Sequence, residues 1–295
     1  MGPTAQGLIR AACFNSTGES AVAVSRDCLL YWAESGWTRL PSTPALDLTR
    51  IRGISCVDSG ALLAFGAGGL VGRLVPGTSF DGWVLPRSNI TIYGAHVDPD
   101  GAVVTVVGEH RYDAPVHGDT RPTSTAAIAQ LARGRTTVMA DEISCGRLHA
   151  VTRLRGGAIV ACGDFGAIAR LERGGTTHCT SICAGHLQAI AALPNGSAVA
   201  VGSGGHAFSL SPDLEPQLEP AQTTRDLRAL TVDSDGVAWA GSDRARILRR
   251  SAGSWARISG DLRVDSSVVA LFAHTLAIRA ICDDGAIIEG TAESR

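Results

Sequence analysis

The stretch LQAIAALPNGSAVAVGSGGHAFSL, residues 187–210, decides the fold. An apolar run from Leu187 ends at the turn Pro194-Asn195-Gly196, a second run, Ala198–Val201, ends at Gly202-Ser203-Gly204-Gly205, and a third begins at Ala207. Short β-forming runs separated by glycine-rich turns are hairpin signals, so these residues read as consecutive antiparallel strands. The middle run has no polar face. A lone sheet of this kind leaves apolar surface in water on both sides and must stack against others.

The same succession recurs along the chain, as LIRAACFNSTG from Leu8, IRGISCVDSG from Ile51, IYGAHVDPDG from Ile92, LHAVTRLRGG from Leu148, LRALTVDSDG from Leu227 and SVVALFAHTL from Ser267. A small residue aligns at Ala11, Gly53, Gly94, Ala150, Ala189, Ala229 and Val269, and the first turn carries Gly18, Gly60, Gly101, Gly157, Gly196 and Gly236. A second turn follows in each unit (SRDC, GAGG, GEHR, GDFG, GSGG, GSDR, CDDG), then a third strand, and in several units a fourth with an aromatic at Trp37, Trp83 or Trp255. The expected fold is all-β: a seven-bladed β-propeller of four-stranded antiparallel blades, one domain over residues 1–295. Blades are placed at 7–41, 49–86, 90–140, 147–183, 186–221, 226–260 and 266–290. The last unit stops after its third strand, so its blade is incomplete or closed by residues 1–6.

Composition narrows the chemistry. The 295 residues are 45% hydrophobic and 18% charged, with 35 Gly, as short buried strands and tight turns require. All 26 basic residues are Arg, so lysine Schiff-base and P-loop chemistry are excluded. No apolar run approaches the ~18 residues of a membrane span, and Met1–Gly7 has no signal-peptide pattern, so a cytoplasmic protein with no membrane partner is expected. The eight Cys then read as reduced, mostly small core hydrophobes such as Cys13, Cys56 and Cys162. A pI near 6.4 and few aromatics argue against nucleic acid as a partner.

The second-turn and third-strand pattern, seen in ACGDFGAIARLERGG from Ala161 and AFGAGGLVGRL from Ala64, resembles the repeats of BNR/sialidase-type and photosystem II assembly-factor-like propellers. The sialidase Asp box survives only in fragments such as Ser251–Trp255, and no Trp is followed by Asp as in WD40 repeats. The resemblance implies an architecture, and on the assembly-factor side a polypeptide-holding scaffold; it implies no activity.

Aligning the units brings out a polar column just before the small residue: Arg10, Arg52, Tyr93, His149, Gln188, Arg228 and Val268. Two residues earlier stand Leu8, Arg50, Thr91, Arg147, His186, Asp226 and Ser266, with an aliphatic residue between the two columns in every unit but the last. If these residues open the innermost strands, they ring one mouth of the central channel, and their guanidinium forks suit a carboxylate or phosphate. The bland alternative is that they tie blades together through loop carbonyls and Asp residues. The third unit adds an insertion, residues 111–125, whose Tyr112, Asp113, His117 and Asp119 would overhang this mouth.

Catalytic candidates are His96, Glu109, His110 and His206, with Asp164, Asp243 and Asp284 at turn positions that also favour Asp for backbone reasons. The cluster His178, Cys179, Cys183 and His186 lacks the paired knuckle of a zinc site; both Cys read as strand residues with His186 on the rim, and neither a metal nor a cofactor is expected. Nucleophile-elbow, Walker and metalloprotease motifs are absent. The leading expectation is a non-catalytic scaffold whose Arg-rich mouth holds a peptide or protein through an acidic segment or carboxylate, or another anionic ligand, and presents it to a partner enzyme. The alternatives are a small-molecule hydrolase or lyase using His96, His110, His206 and Asp164, with or without a divalent metal, and a pure protein-interaction propeller.

Overall fold

The computed structural model describes residues 8–34, 36–41, 46–57, 61–75, 79–85, 89–98, 101–111, 124–132, 135–172, 177–258, 265–274 and 277–291. They form seven antiparallel sheets, six of four strands and a last one of three, in simple up-and-down order. The innermost strands are Ala11–Phe14, Ile51–Val57, Ile90–Val97, Leu148–Arg153, Leu187–Ala192, Leu227–Val232 and Val268–His274. Each packs against the next and the last packs against the first, so the blades close a ring as a seven-bladed propeller. No α-helix occurs among the described residues, and no helix is long and apolar enough to cross a membrane.

The apolar side chains sort by alternation into the seams between blades. In the second strand of blade 2, Leu62 and Ala64 face blade 1 while Leu63 and Phe65 face blade 3. Blade 4 repeats this with Ile159 and Ala161 on one side and Val160 and Cys162 on the other. Successive strand residues point to opposite faces, so a strand buried on both faces must be apolar at every position. That is why these runs carry no polar stripe. The final seam, where Ile9, Phe14, Ala21, Ala23 and Leu30 of blade 1 meet Ala270 and Ile281 of blade 7, has the same construction.

Crowding at the axis sets the small column. A Cβ on Gly94 would lie 2.5 Å from the His149 carbonyl oxygen, and one on Gly53 would enter the Phe65 ring at 2.3 Å. The glycine at the equivalent place in the second strand, the last residue of the strand at Gly66, Gly163 and Gly202 and an interior one at Gly108, answers to a second contact: its Cβ would sit 1.9, 1.9, 2.0 and 2.0 Å from the carbonyl oxygens of Arg50, Arg147, His186 and Thr91 in that order. This close approach accompanies a register shift at the start of the inner strand, as between Leu148 and Ala150.

Strand pairing corrects the seventh unit by one residue. Ala270 pairs with Ile281 as Ala229 pairs with Gly241, so Ala270 is the small residue and Val269 the rim residue, preceded by Ser267. With two valines adjacent and no first-turn glycine, the sequence offered no feature to fix this register. The turn residue equivalent to Asp164 and Asp243 is therefore Asp283, whose N–H donates to the Ser267 carbonyl as that of Asp164 donates to Arg147. The third unit differs as well. Its second strand runs Val103–Arg111 and pairs through Arg111 with Ser124, so Glu109 and His110 are strand residues, and the insertion prolongs the hairpin before leaving the described residues at 112. Tyr112, Asp113, His117, Asp119 and residues 1–6 lie outside the described residues.

Between blades 5 and 6 a buried ion pair reinforces the apolar seam. Glu219, with a side chain 2% exposed, accepts the Arg250 Nε–H shared between its two oxygens at 2.9 and 3.1 Å, an Arg250 Nη2 bond at 2.5 Å and one from Trp255 Nε1 at 2.9 Å. Hydrogen bonding to Glu219 raises the Arg250 pKa against the opposing effect of burial. Glu219→Ala leaves a half-buried guanidinium and the buried Trp255 indole N–H without their acceptor, and is expected to cost about 2 kcal/mol in urea unfolding with the slope unchanged.

Candidate functional site

The starts of the inner strands gather around one mouth of the channel, as the column alignment requires. The channel is a cavity of about 370 Å³, walled by small and aliphatic residues such as Ala12, Ala150 and Ile190 together with Phe14, Phe65 and Phe272, and reached by Tyr93, His149 and Arg228. Around this mouth three acids, two in second turns and Glu109 in a second strand, build one arrangement: an acid in one blade meets the rim residue of its own blade and a residue opening the next.

In blade 3, buried Glu109 Oε2 accepts from Tyr93 Oη at 3.4 Å and pairs with Arg147 of the next blade at 3.6 Å, with Arg111 Nε at 3.0 Å. Burial, and then the Glu109 charge, raises the Tyr93 pKa. In blade 6, Asp243 Oδ1 takes Arg228 Nε at 3.0 Å and the Ser267 hydroxyl of blade 7 at 2.9 Å. In blade 4 the acid is Asp164 and both partners are histidines. His149 Nε2 lies 2.8 Å and His186 Nδ1 3.0 Å from the same oxygen, Oδ1.

Asp164 is positioned by its turn. Residues Asp164–Gly166 form a single 3-10 turn, with Phe165 in the left-handed region at φ 53°. A non-glycine residue seldom adopts this geometry. The exposed Phe165 ring lies 5.4 Å from the His186 ring, which in turn stands edge-on to His149 at 6.5 Å. Asp164 Oδ2 accepts the Arg147 backbone N–H at 3.3 Å, and Arg147 Nε is 3.7 Å away. Burial would raise the Asp164 carboxyl, but the hydrogen bond and charge of His149, the Arg147 N–H and His186 outweigh it and hold the pKa below 3.8.

An ionised Asp164 fixes the ring tautomers. His186 Nδ1 can donate to Oδ1 at 3.0 Å or accept from the Phe165 N–H at 3.4 Å, and the shorter, charge-assisted bond wins. With a proton directed at Oδ1 from each ring, His149 Nδ1 and His186 Nε2 are the ring nitrogens that face away from Asp164 Oδ1. The atoms His149 Nε2, Asp164 Oδ1 and His186 Nδ1 also lie within 4.8 Å of one another, a nitrogen–oxygen donor set able to hold a divalent cation in place of those protons.

Other predicted residues part company. His96 sits near the far end of its strand, 3.6 Å from Asp98, which also takes Arg153 at 2.9 Å; burial lowers its pKa despite Asp98. It cannot join the mouth residues. His110 is buried within its strand, and His206 Nδ1 is tied to the Ser203 carbonyl at 2.7 Å with its ring stacked on Phe208. Arg10 donates to the carbonyls of Ser25 and Leu48, and Arg50 to those of Ala67 and Gly68, so these two tie backbone together as the bland alternative supposed. Arg52 is exposed and reaches the Thr49 carbonyl; Gln188 holds the equivalent place in blade 5. Cys179 is a strand residue, whereas Cys183 follows the strand that ends at Ser181.

Sequence reasoning had all three elements of the blade 4 cluster in separate columns. The signal that joins them is the offset itself: turn acid, own-blade rim residue, next-blade opening residue.

No protein-family model and no curated protein sequence matches the chain. Among solved structures it is similar to a catalytically inactive virginiamycin B lyase from Staphylococcus aureus with quinupristin (TM-score 0.77, 13% identity, 99% of this chain and 97% of that one). It is also similar to a streptogramin B lyase (0.70, 12%, 99% and 93%) and to the WD40 β-propeller domain of Doa1 (0.72, 12%, 98% and 94%). At such identities the likeness establishes the propeller fold alone.

The Asp164 carboxyl titrates lower in the folded chain than in the unfolded one. Its stabilisation is therefore complete above the unfolded pKa and disappears as pH falls through the folded value. The gap in Tm between wild type and Asp164→Asn is expected to be widest near neutral pH and to narrow below about pH 4 in a thermal-unfolding pH series.

Proposed function

We propose that the channel mouth is a small-molecule site at which His149 and His186, held by Asp164, exchange protons with a bound ligand, making the chain a hydrolase or lyase. The observation that carries this reading is the convergence of two imidazoles on one carboxylate oxygen at the mouth of a cavity of about 370 Å³. Paired acid–base groups of this kind contribute roughly 10²–10⁴-fold to rate. Arg52 supplies the ligand's anchor: it is exposed, among the described residues it pairs with no carboxylate, and it stands near Arg10, whose pKa is lowered by burial and then by the charges of Arg52 and Arg26. Such a cluster favours an anionic group. The likeness to two lyases supports a lyase on this architecture by analogy only. The reading takes residues 1–295 as one cytoplasmic propeller.

A second reading, the non-catalytic scaffold holding an acidic segment or carboxylate, rests on the same arginines and on the likeness to the Doa1 propeller. The similarity to BNR/sialidase-type and assembly-factor-like repeats adds to it at the level of architecture.

One experiment separates the readings. A metabolite extract of the source cells is incubated with wild type, Asp164→Asn and Arg52→Ala, with and without added Mg²⁺ or Mn²⁺, and followed by mass spectrometry. The proposal expects a species consumed by wild type, slowed at least about 100-fold by Asp164→Asn, and requiring higher concentration with Arg52→Ala. A species retained unchanged by wild type and released by Arg52→Ala points to the scaffold.

A further inference from the structure

We propose that His149, Asp164 and His186 bind one divalent first-row transition cation, of the class of Mn²⁺, Fe²⁺ or Zn²⁺. The ion would occupy the same side chains that the catalytic reading uses, and its binding does not depend on turnover. Two imidazole nitrogens and one carboxylate oxygen suit these ions, whereas Ca²⁺ and Mg²⁺ favour oxygen donors alone. The ligands come from three places: the inner strand of blade 4, its second turn, and the residue that opens blade 5. No short-spaced motif therefore announces them, and the expectation from sequence that no metal binds is revised here by their geometry.

An ion bound to nitrogen and oxygen at about 2.1 Å sets neighbouring ligands of an octahedron about 3.0 Å apart. His149 Nε2 and His186 Nδ1 stand 2.8 and 3.0 Å from Asp164 Oδ1, so two such edges are already in place. All three atoms lie within 4.8 Å of one another, and the two imidazole planes meet at 90°. A cation among them takes the place of the two protons directed at Oδ1. Each neutral imidazole then carries its proton on the nitrogen that faces away, which leaves His149 Nε2 and His186 Nδ1 as lone-pair ligands.

The other two clamps lack this capacity. Asp243 faces the Arg228 guanidinium, and Glu109 faces those of Arg111 and Arg147, cations that offer no lone pair. In blade 4 the guanidinium stands off the shared oxygen: Arg147 Nε is 3.7 Å from Oδ2, and the Arg147 backbone N–H donates to that same oxygen at 3.3 Å. These contacts orient the carboxylate and leave Oδ1 to the rings, as outer partners of a metal ligand do. The Arg147 charge opposes a second cation, but its side chain is 45% exposed and therefore screened. His149 lines the channel cavity and the His186 side chain is 44% exposed, so the ion would be reached from the mouth and keep positions for water or a ligand's oxygen.

The test uses the full folded chain, freed of metal with a chelator and titrated with Mn²⁺ alone, the free ion being counted by electron paramagnetic resonance. About one bound ion per chain is expected, with spin-echo modulation from two directly coordinated imidazole nitrogens, and Zn²⁺ should displace it. Binding should be lost or weakened at least about 100-fold in His186→Ala and in Asp164→Asn, and kept in Asp243→Asn, which alters the blade 6 clamp. No bound Mn²⁺, an ion without nitrogen modulation, or unchanged binding by the first two variants would overturn the proposal. The modulation is read on wild type, so it decides the matter even where a variant fails to fold. Mn²⁺ bound in this way by a chain that consumes no metabolite supports the site and removes the catalytic reading; turnover by a chain that binds no Mn²⁺ does the reverse.

Discussion

Everything in this propeller depends on blades burying both faces against their neighbours. Each second strand alternates its side chains between two seams, so no blade owns a core, and the ring is stable only as a closed set of face-to-face contacts. The twist of the sheets and the narrowing toward the axis leave room there only for small residues. The mouth is what remains when those residues are in place: the first residues of seven strands, brought from distant parts of the chain to one rim.

That construction explains why the mouth is polar without being uniformly basic. The inner strand starts beside the second turn of its own blade and beside the opening of the next, so backbone groups of three segments need partners at each seam. A turn acid that accepts a backbone N–H also reaches the side chains on either side of it. Asp164 and Asp283 both take such an N–H, from Arg147 and Ser267. The architecture thus prescribes an acid clamp, and the identities of its two partners decide whether the clamp is a strut or a reactive group.

Much of this was legible in the chain because its causes are local. Uninterrupted apolar runs, glycines where a Cβ would meet a carbonyl, and a small residue near the axis recur at fixed spacing, and they gave the blades and the order of their strands. The columns of rim residues were legible for the same reason. What Arg10 and Arg50 do with their guanidiniums was not, because the acceptors are carbonyls such as those of Leu48 and Ala67, which every sequence has. The register of the seventh unit failed where Val268 and Val269 are interchangeable by pattern, and only pairing with Cys282 and Ile281 tells them apart. Glu109 and His110 looked like turn residues because they are polar; the strand continues through them since a buried Glu109 finds Tyr93, Arg111 and Arg147.

The three clamps differ in what a proton can do there. In blade 6 a guanidinium and a hydroxyl face Asp243, and neither changes charge near neutral pH. In blade 3 the partners of Glu109 are two arginines and a tyrosine whose pKa is raised, so its charge is balanced by guanidiniums. Only in blade 4 are both partners imidazoles, each able to donate or accept a proton, and the His149 hydrogen bond with the Arg147 backbone N–H holds the Asp164 pKa down against burial. A carboxylate shared by two imidazoles is the part of this mouth that stability alone does not require.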